Sequence, residues 1–77
     1  MKIWITTYCL TEGIAEYNAK ATNVPDMMEC APNRYVHREG DNWHRTHAAA
    51  VAKAEKMRLA KIKSLRKQIE RLEAFRF

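Results

Sequence analysis

No glycine or proline occurs between Thr46 and the C-terminal Phe77. Alanine, leucine, lysine, arginine, glutamate and glutamine dominate this stretch, and all of them are strong helix formers. The side-chain oxygen of Thr46 is suited to capping the first turn. We therefore predict one long helix over residues 46–76, about 45 Å in length at 1.5 Å per residue.

This helix is amphipathic, because its apolar residues recur at the spacing of one helical face. The apolar stripe comprises Val51, Ala54, Ile62, Leu65, Ile69 and Leu72, flanked by Ala50, Met57 and Phe75. The opposite face carries Lys53, Lys56, Lys63, Lys67 and Arg71. One side of the helix is thus built for burial and the other for contact with water or with negative charge.

The preceding residues 1–45 have the texture of β-structure, with β-branched and aromatic residues grouped between turn formers. The predicted strands are Lys2–Cys9, Ile14–Ala21, Met27–Ala31 and Arg34–Arg38, with a brief extended piece at Trp43–Arg45. Both faces of the first strand are substantially apolar, which is typical of a central strand. The second alternates in the manner of a half-buried antiparallel neighbour.

The chain of 77 residues is predicted to be one domain of the α+β class, residues 1–77. We expect a small antiparallel sheet of three or four strands, followed by the long helix. Strands of this length reach about 17–26 Å, so the sheet is too short to cover the helix. The uncovered half is a predicted interface with Arg58, Ile62, Leu65, Ile69, Leu72 and Phe75.

Three kinds of cover are open to this half: a second copy of the chain, a partner protein, or the same domain if the helix bends. With Ile62 and Ile69 at heptad position a and leucine at d, the pattern favours a two-stranded coil. A parallel pair would set Lys61 against Arg66, whereas an antiparallel one brings Arg66 near Glu73. We therefore expect a homodimer to be antiparallel or crossed.

Charge is distributed unevenly along the chain. Residues 1–45 hold five Lys and Arg against six Asp and Glu, whereas residues 46–77 hold nine against three. This asymmetry favours an acidic partner, either nucleic acid or a negative protein surface, although a solvated helix face gives the same pattern. No base-reading motif accompanies the lysines, and no aromatic residues are interleaved with them.

No catalytic, metal or cofactor site is predicted. Cys9 and Cys30 form no C-x-x-C pair, and the three histidines show no metal-ligand spacing with them. The two glycines are isolated, so no phosphate-binding loop is present. The aromatic residues Trp4, Tyr8, Tyr17, Tyr35 and Trp43 are predicted to form the core between sheet and helix, with exposure of one or two of them as interface anchors left open. No secretory signal and no apolar run of about 20 residues is seen, which predicts a cytoplasmic protein without a membrane span.

Two segments carry a resemblance to known proteins. The opening Lys2–Ile14, with the sequence KIWITTYCLTEGI, and the stretch WHRT leading into Ala48–Met57 resemble small proteins encoded by tailed bacteriophages. Residues 18–40 lie outside the resemblance, which carries no functional residues with it. It implies a phage accessory protein in the bacterial host cytoplasm that binds and blocks a host or defence protein, as anti-CRISPR proteins do. A basic nucleic-acid-binding module and a structural homo-oligomer of the phage particle are the alternatives.

Overall fold

A computed structural model describes all residues, 1–77. Eight elements follow one another along the chain. They are β1 (Lys2–Ile5), α1 (Cys9–Glu12), β2 (Ala15–Asn18), β3 (Lys20–Ala21), β4 (Met27–Ala31), β5 (Arg34–His37), β6 (Trp43–His44) and α2 (His47–Glu73). The predicted α+β class, with β-structure followed by one long helix, is confirmed. The strands form two three-stranded sheets, however, and not one sheet of three or four.

The first sheet has the order β2-β1-β6, so β1 is its central strand, as its two apolar faces predict. β1 pairs antiparallel with β2 from Lys2–Asn18 to Ile5–Ala15, and antiparallel with β6 at its other edge. One face of β1 contributes Ile3 to the core, while Trp4 on the other face lies 6.1 Å from the ring of His47 in α2. This sheet therefore lies between the helix and the core.

The second sheet has the order β3-β4-β5, and its strands are antiparallel. Ala19, which is buried, is the single residue between β2 and β3, so the chain passes directly from one sheet to the other. The core between the sheets is small: Ile3, Ala19, Met28 and Trp43, with Ile5 and Val36 packed against it. Trp43 is its largest member, and its indole N–H donates to the carbonyl oxygen of Asp26 at 3.0 Å.

The first predicted strand is too long. β1 ends at Ile5 and the chain forms the short helix α1 where strand and turn were expected. Thr6 is buried, and its backbone N–H donates to the carbonyl oxygen of Asn42, far away in sequence. Beyond Thr6 the chain turns into α1, where the N–H of Cys9 donates to Thr6 and that of Glu12 donates to Tyr8. Gly13 closes α1 with φ 81°, a left-handed value suited to glycine.

Helix α2 is the dominant element of the molecule, which measures 57 × 24 × 20 Å along its principal axes. It begins as predicted, with the hydroxyl of Thr46 accepting the N–H of Ala49 at 3.1 Å. It ends at Glu73, three residues before the predicted boundary, where the N–H of Ala74 donates to Glu70 and that of Phe75 already donates to Leu72, three residues back. Phe75 therefore lies beyond the helix.

Candidate functional site: the helix overhang and a tyrosine cleft

Residues 47–57 anchor α2 to the β-rich body, residues 1–45. Ala50 is fully buried, and the ammonium of Lys53 lies 2.8 Å from the carboxylate of Asp41. One turn further on, the thiol of Cys9 in α1 donates to the sulfur of Met57 at 3.7 Å. Together with the contact between Trp4 and His47, these contacts join the helix to the body. We call residues 47–57 the anchored half.

Residues 58–77, which we call the overhang, extend past the body. The helical part of the overhang continues for about 24 Å beyond Met57. Its apolar side chains are open to water, with exposed fractions of 42% at Leu65, 53% at Ile69 and 67% at Leu72. Only Ile62, near the body, is half-buried. The helix does not fold back, so the predicted stripe is a free surface in the single chain.

The other two members of the predicted interface differ from the stripe. The guanidinium of Arg58 is held within α2 by a two-pronged pair with Glu55, at 3.1 and 2.9 Å. This pairing raises the pKa of Arg58 and lowers that of Glu55. Phe75 is exposed, and its ring centroid lies 6.1 Å from that of Phe77. Arg58 borders the stripe as a paired charge, and Phe75 extends it past the helix end.

The residues of the basic face also differ between the anchored half and the overhang. Lys53 is engaged by Asp41, and their hydrogen bond lowers the pKa of that carboxyl. The four other basic residues of this face are exposed and form no ion pair within the chain: Lys56, Lys63, Lys67 and Arg71. Lys53 therefore belongs to the attachment of the helix, and the free positive charge lies further along it.

A buried polar contact stabilises the join between body and helix. Thr6 donates its hydroxyl proton to the carbonyl oxygen of Asp41 at 3.1 Å, and its oxygen lies 2.9 Å from Nε2 of His44. Because the hydroxyl has one proton, Nε2 must carry the hydrogen of this second bond. Burial, followed by the nearby charge of Lys53, lowers the pKa of His44. The imidazole of His44 is thus a hydrogen-bond donor to Thr6 within the join.

A second surface feature lies between the two sheets, on the side where the core is open. It is a cleft of about 540 Å³, within the usual size range of ligand sites. All three tyrosines of the chain border it: Tyr8 ahead of α1, Tyr17 on β2 and Tyr35 on β5. Their exposed fractions are 67%, 37% and 49%. We call this feature the tyrosine cleft.

Ile5 and Val36 contribute apolar surface to the cleft, whereas Arg34, Glu12 and His37 contribute polar groups. The thiol of Cys30 also borders it and donates to the carbonyl oxygen of Arg34 at 3.5 Å. No hydrogen bond joins this thiol to His37, and no group of three potential metal ligands occurs in the structure. The arrangement offers aromatic faces and single charges for binding.

Of the aromatic residues predicted to form the core between sheet and helix, only Trp43 is buried, and it lies in the core between the two sheets. Trp4 is half-buried against α2, whereas the three tyrosines lie at the cleft. Sequence reasoning missed this site because alternation places a tyrosine on a strand face without indicating whether another sheet covers that face. The one available signal was the phenolic hydroxyl, which favours a position partly in contact with water.

The fold and these two surfaces define a small α+β protein with a projecting amphipathic helix. Neither helix combines the length and the apolar character needed to cross a bilayer. Comparisons of the chain with protein-family models, curated proteins and solved structures gave no match.

Proposed function

We propose that this chain is a non-enzymatic accessory protein of a bacteriophage that binds and blocks a bacterial host or defence protein in the host cytoplasm. The phage origin rests on the sequence resemblance of residues 2–14 and 43–57. The binding role is supported by one observation above all: the overhang exposes Leu65, Ile69 and Leu72 on a single helical face that the body does not cover.

The energetic argument is direct. Burying a large aliphatic side chain stabilises a complex by about 1.5–3 kcal/mol relative to leaving it in water. A helix that is already formed loses little conformational freedom when it docks, so more of this free energy is available for binding. An apolar groove that takes a helix through residues spaced three and four apart is a recurrent mode of recognition, and Leu65, Ile69 and Leu72 have this spacing.

The charge of the overhang restricts the kind of partner groove that can bind it. The overhang carries seven Lys and Arg against two Glu, and Lys63, Lys67 and Arg71 are free of ion pairs. A partner surface with an apolar groove and an acidic rim would therefore be attracted at long range and matched on contact. We propose an acidic groove on the bacterial protein as the binding site of the overhang.

Affinity capture from host lysate, with nuclease present, tests this proposal. Three baits are compared: the natural protein, the Ile69→Ser/Leu72→Ser variant, and the matched Lys63→Ser/Lys67→Ser variant on the opposite face. We expect a protein retained in stoichiometric amount by the natural bait and lost from the Ile69→Ser/Leu72→Ser bait. The lysine variant should retain that protein with reduced affinity, because it keeps the apolar contacts.

Since Ile69 and Leu72 are exposed in the single chain, both variant baits should have the unfolding midpoint of the monomeric natural protein, which separates lost binding from lost folding. Failure of the natural bait to retain any stoichiometric protein, or equal retention by the Ile69→Ser/Leu72→Ser bait, would contradict the proposal. An inhibitory role would then be tested by assaying the captured protein's own activity with and without this chain.

The same stripe is suited to a second copy, and we propose that the free protein forms a dimer through the overhang. Antiparallel packing would place Leu65 of one copy against Ile69 of the other and Ile62 against Leu72, and would bring Arg66 near Glu73 of the other copy. This dimer would have to open before a partner groove could take the overhang. Sedimentation of the Ile69→Ser/Leu72→Ser variant, described below, tests it.

A nucleic-acid-binding role is the second candidate, favoured by the unpaired cations Lys56, Lys63 and Lys67 on one exposed face. If they contact phosphates, affinity for a 20-base-pair DNA duplex should fall steeply with salt, with a log–log slope of about −0.9 per contact. The Lys56→Glu/Lys63→Glu/Lys67→Glu variant should then lose binding in fluorescence anisotropy. Unchanged DNA affinity in that variant would exclude this function.

A further inference from the structure

The tyrosine cleft follows the free edge of β5. All four residues of this strand border the cleft, from Arg34 to His37. Consecutive residues of a strand point to opposite faces, and Val36 points to the core. Because Tyr35 and Val36 point to opposite faces and both border the cleft, the cleft must extend around the outer edge of β5. The backbone of the strand is exposed at that edge.

That edge has free hydrogen-bonding groups. β5 is an outer strand of its sheet, paired only with β4. No group outside β4 donates to or accepts from the backbone of β5. Every second N–H and C=O of the strand thus faces the cleft without a partner in the chain, which is the pattern of a sheet edge ready to add a strand.

The walls of the cleft supply side-chain contacts for such a strand. Tyr8 and Tyr17 stand across from Tyr35, and Ile5 adds apolar surface beside them. Exposed aromatic rings grouped around one cavity are the residues that most often dominate binding energies. A bound segment with apolar side chains at alternate positions would place them among these rings.

Charge adds one further requirement. Arg34 borders the cleft and has no ion-pair partner in the chain, and neither has Arg38 directly after β5. Glu12 on the facing wall is the one carboxylate at the cleft. A carboxylate on the bound segment is therefore favoured beside Arg34 and disfavoured beside Glu12, which fixes where in the cleft the acidic residue lies.

We infer that the tyrosine cleft binds an extended peptide segment of a partner protein, which adds as a fourth strand along β5. The segment has apolar residues at alternating positions and an Asp or Glu next to Arg34. This site is separate from the overhang, so it does not depend on the function proposed above.

Selection from an mRNA-displayed library of random heptapeptides tests the inference. The full-length protein is the bait, and its Arg34→Ala/Tyr35→Ala variant is the counter-selection bait. We expect enrichment of sequences with alternating apolar residues and one acidic residue. Synthesised peptides should bind the natural protein. Tyr35→Ala should lower their affinity about tenfold or more, because it removes a central aromatic contact.

Backbone methylation distinguishes strand addition from side-chain binding alone. Each selected peptide is made in two forms, N-methylated at its odd or at its even residues, because alternate N–H groups of a strand point to opposite edges. One form should lose at least tenfold in affinity and the other should bind as the parent does. Amide exchange in β5 should slow when the parent peptide is bound.

Two controls complete the design. Val24→Ala removes an exposed apolar side chain that does not border the cleft, and should leave peptide affinity unchanged. The Ile69→Ser/Leu72→Ser variant should also bind the peptides normally, so failure of the overhang proposal and failure of this one give different results. Equal binding by both methylated forms, or no enrichment over the Arg34→Ala/Tyr35→Ala bait, would overturn the inference.

Discussion

The two halves of α2 are built from the same kinds of residue and differ in what covers them. In the anchored half, Ala50 is sealed against the body and Lys53 is ion-paired with it. In the overhang, Leu65, Ile69 and Leu72 have no cover. The helix needs no tertiary contact in the overhang. Nucleation, the unfavourable step of helix formation, takes place in the anchored half, and each further residue then adds a hydrogen bond.

This comparison separates two uses of apolar surface. Around the anchored half it stabilises the fold of the single chain, and substitutions there should reduce the free energy of unfolding. On the overhang it is available to another molecule, and substitutions there should change association while leaving the unfolding of the single chain almost unaltered. Each of the following experiments compares a substitution in the folded core, or at the contact between body and helix, with a matched substitution elsewhere.

The largest difference is expected between two aromatic residues. Trp43→Ala removes the largest buried side chain of the core and leaves the carbonyl of Asp26 without its indole donor. Substitutions of this kind cost about 3–5 kcal/mol, a large part of the about 5–15 kcal/mol of a typical domain. Phe75→Ala, at an exposed position, should cost less than about 0.5 kcal/mol. Urea unfolding measures the loss of stability in both variants. Similar losses would refute the distinction between the folded core and the overhang.

A second pair compares two alanines of the same helix. Ala50→Leu forces a larger side chain into a fully buried site and should cost about 1–3 kcal/mol. Ala60→Leu places the same side chain on the exposed overhang, where leucine and alanine have similar helix propensity. Its unfolding midpoint in urea should match that of the natural protein. A stable Ala50→Leu variant would show that the helix is not packed tightly on the body.

The third comparison concerns pH. Burial lowers the pKa of His44 below 6.5, so the unfolded chain takes up a proton more readily than the folded one. The free energy of unfolding should therefore rise as pH increases through the range just below 6.5, and level off above it. Asp41, whose pKa is lowered from 3.8, acts only at more acidic pH.

The matched variants for this test are His44→Asn and His37→Asn, a buried and an exposed histidine. Denaturant titrations between pH 5 and 7.5 should show a flatter pH dependence in His44→Asn, whereas His37→Asn should retain the natural slope. If both variants keep that slope, another group is responsible.

The smallest effect on stability is expected from the overhang itself. Residues 61–77 make no hydrogen bond or ion pair with the body, so removing them should shift the unfolding midpoint of the monomer by less than about 4 °C, the effect of about 1 kcal/mol in a domain of this size. In analytical ultracentrifugation, both this truncation and Ile69→Ser/Leu72→Ser should sediment as monomers, while the natural protein sediments as a dimer. A dimer that survives either change would place the contact elsewhere.

Local sequence predicted those elements whose formation depends on neighbouring residues. The absence of glycine and proline after residue 45 sets the course of α2, and Thr46 sets its start. Met27–Ala31 is a strand with the predicted bounds, because Pro25-Asp26 and Pro32-Asn33 interrupt the chain on either side. The spacing of Ile62, Leu65, Ile69 and Leu72 likewise identified the apolar stripe.

Tertiary structure decided what depends on distant parts of the chain. Whether Thr6 continues a strand, whether Lys53 faces solvent or Asp41, and whether Tyr8, Tyr17 and Tyr35 are buried all depend on residues far away in sequence. The reason is physical. The periodicity of a sequence indicates which side chains share a face, whereas the burial of that face depends on what packs against it. Only the arrangement of two sheets and one projecting helix supplies the second kind of information.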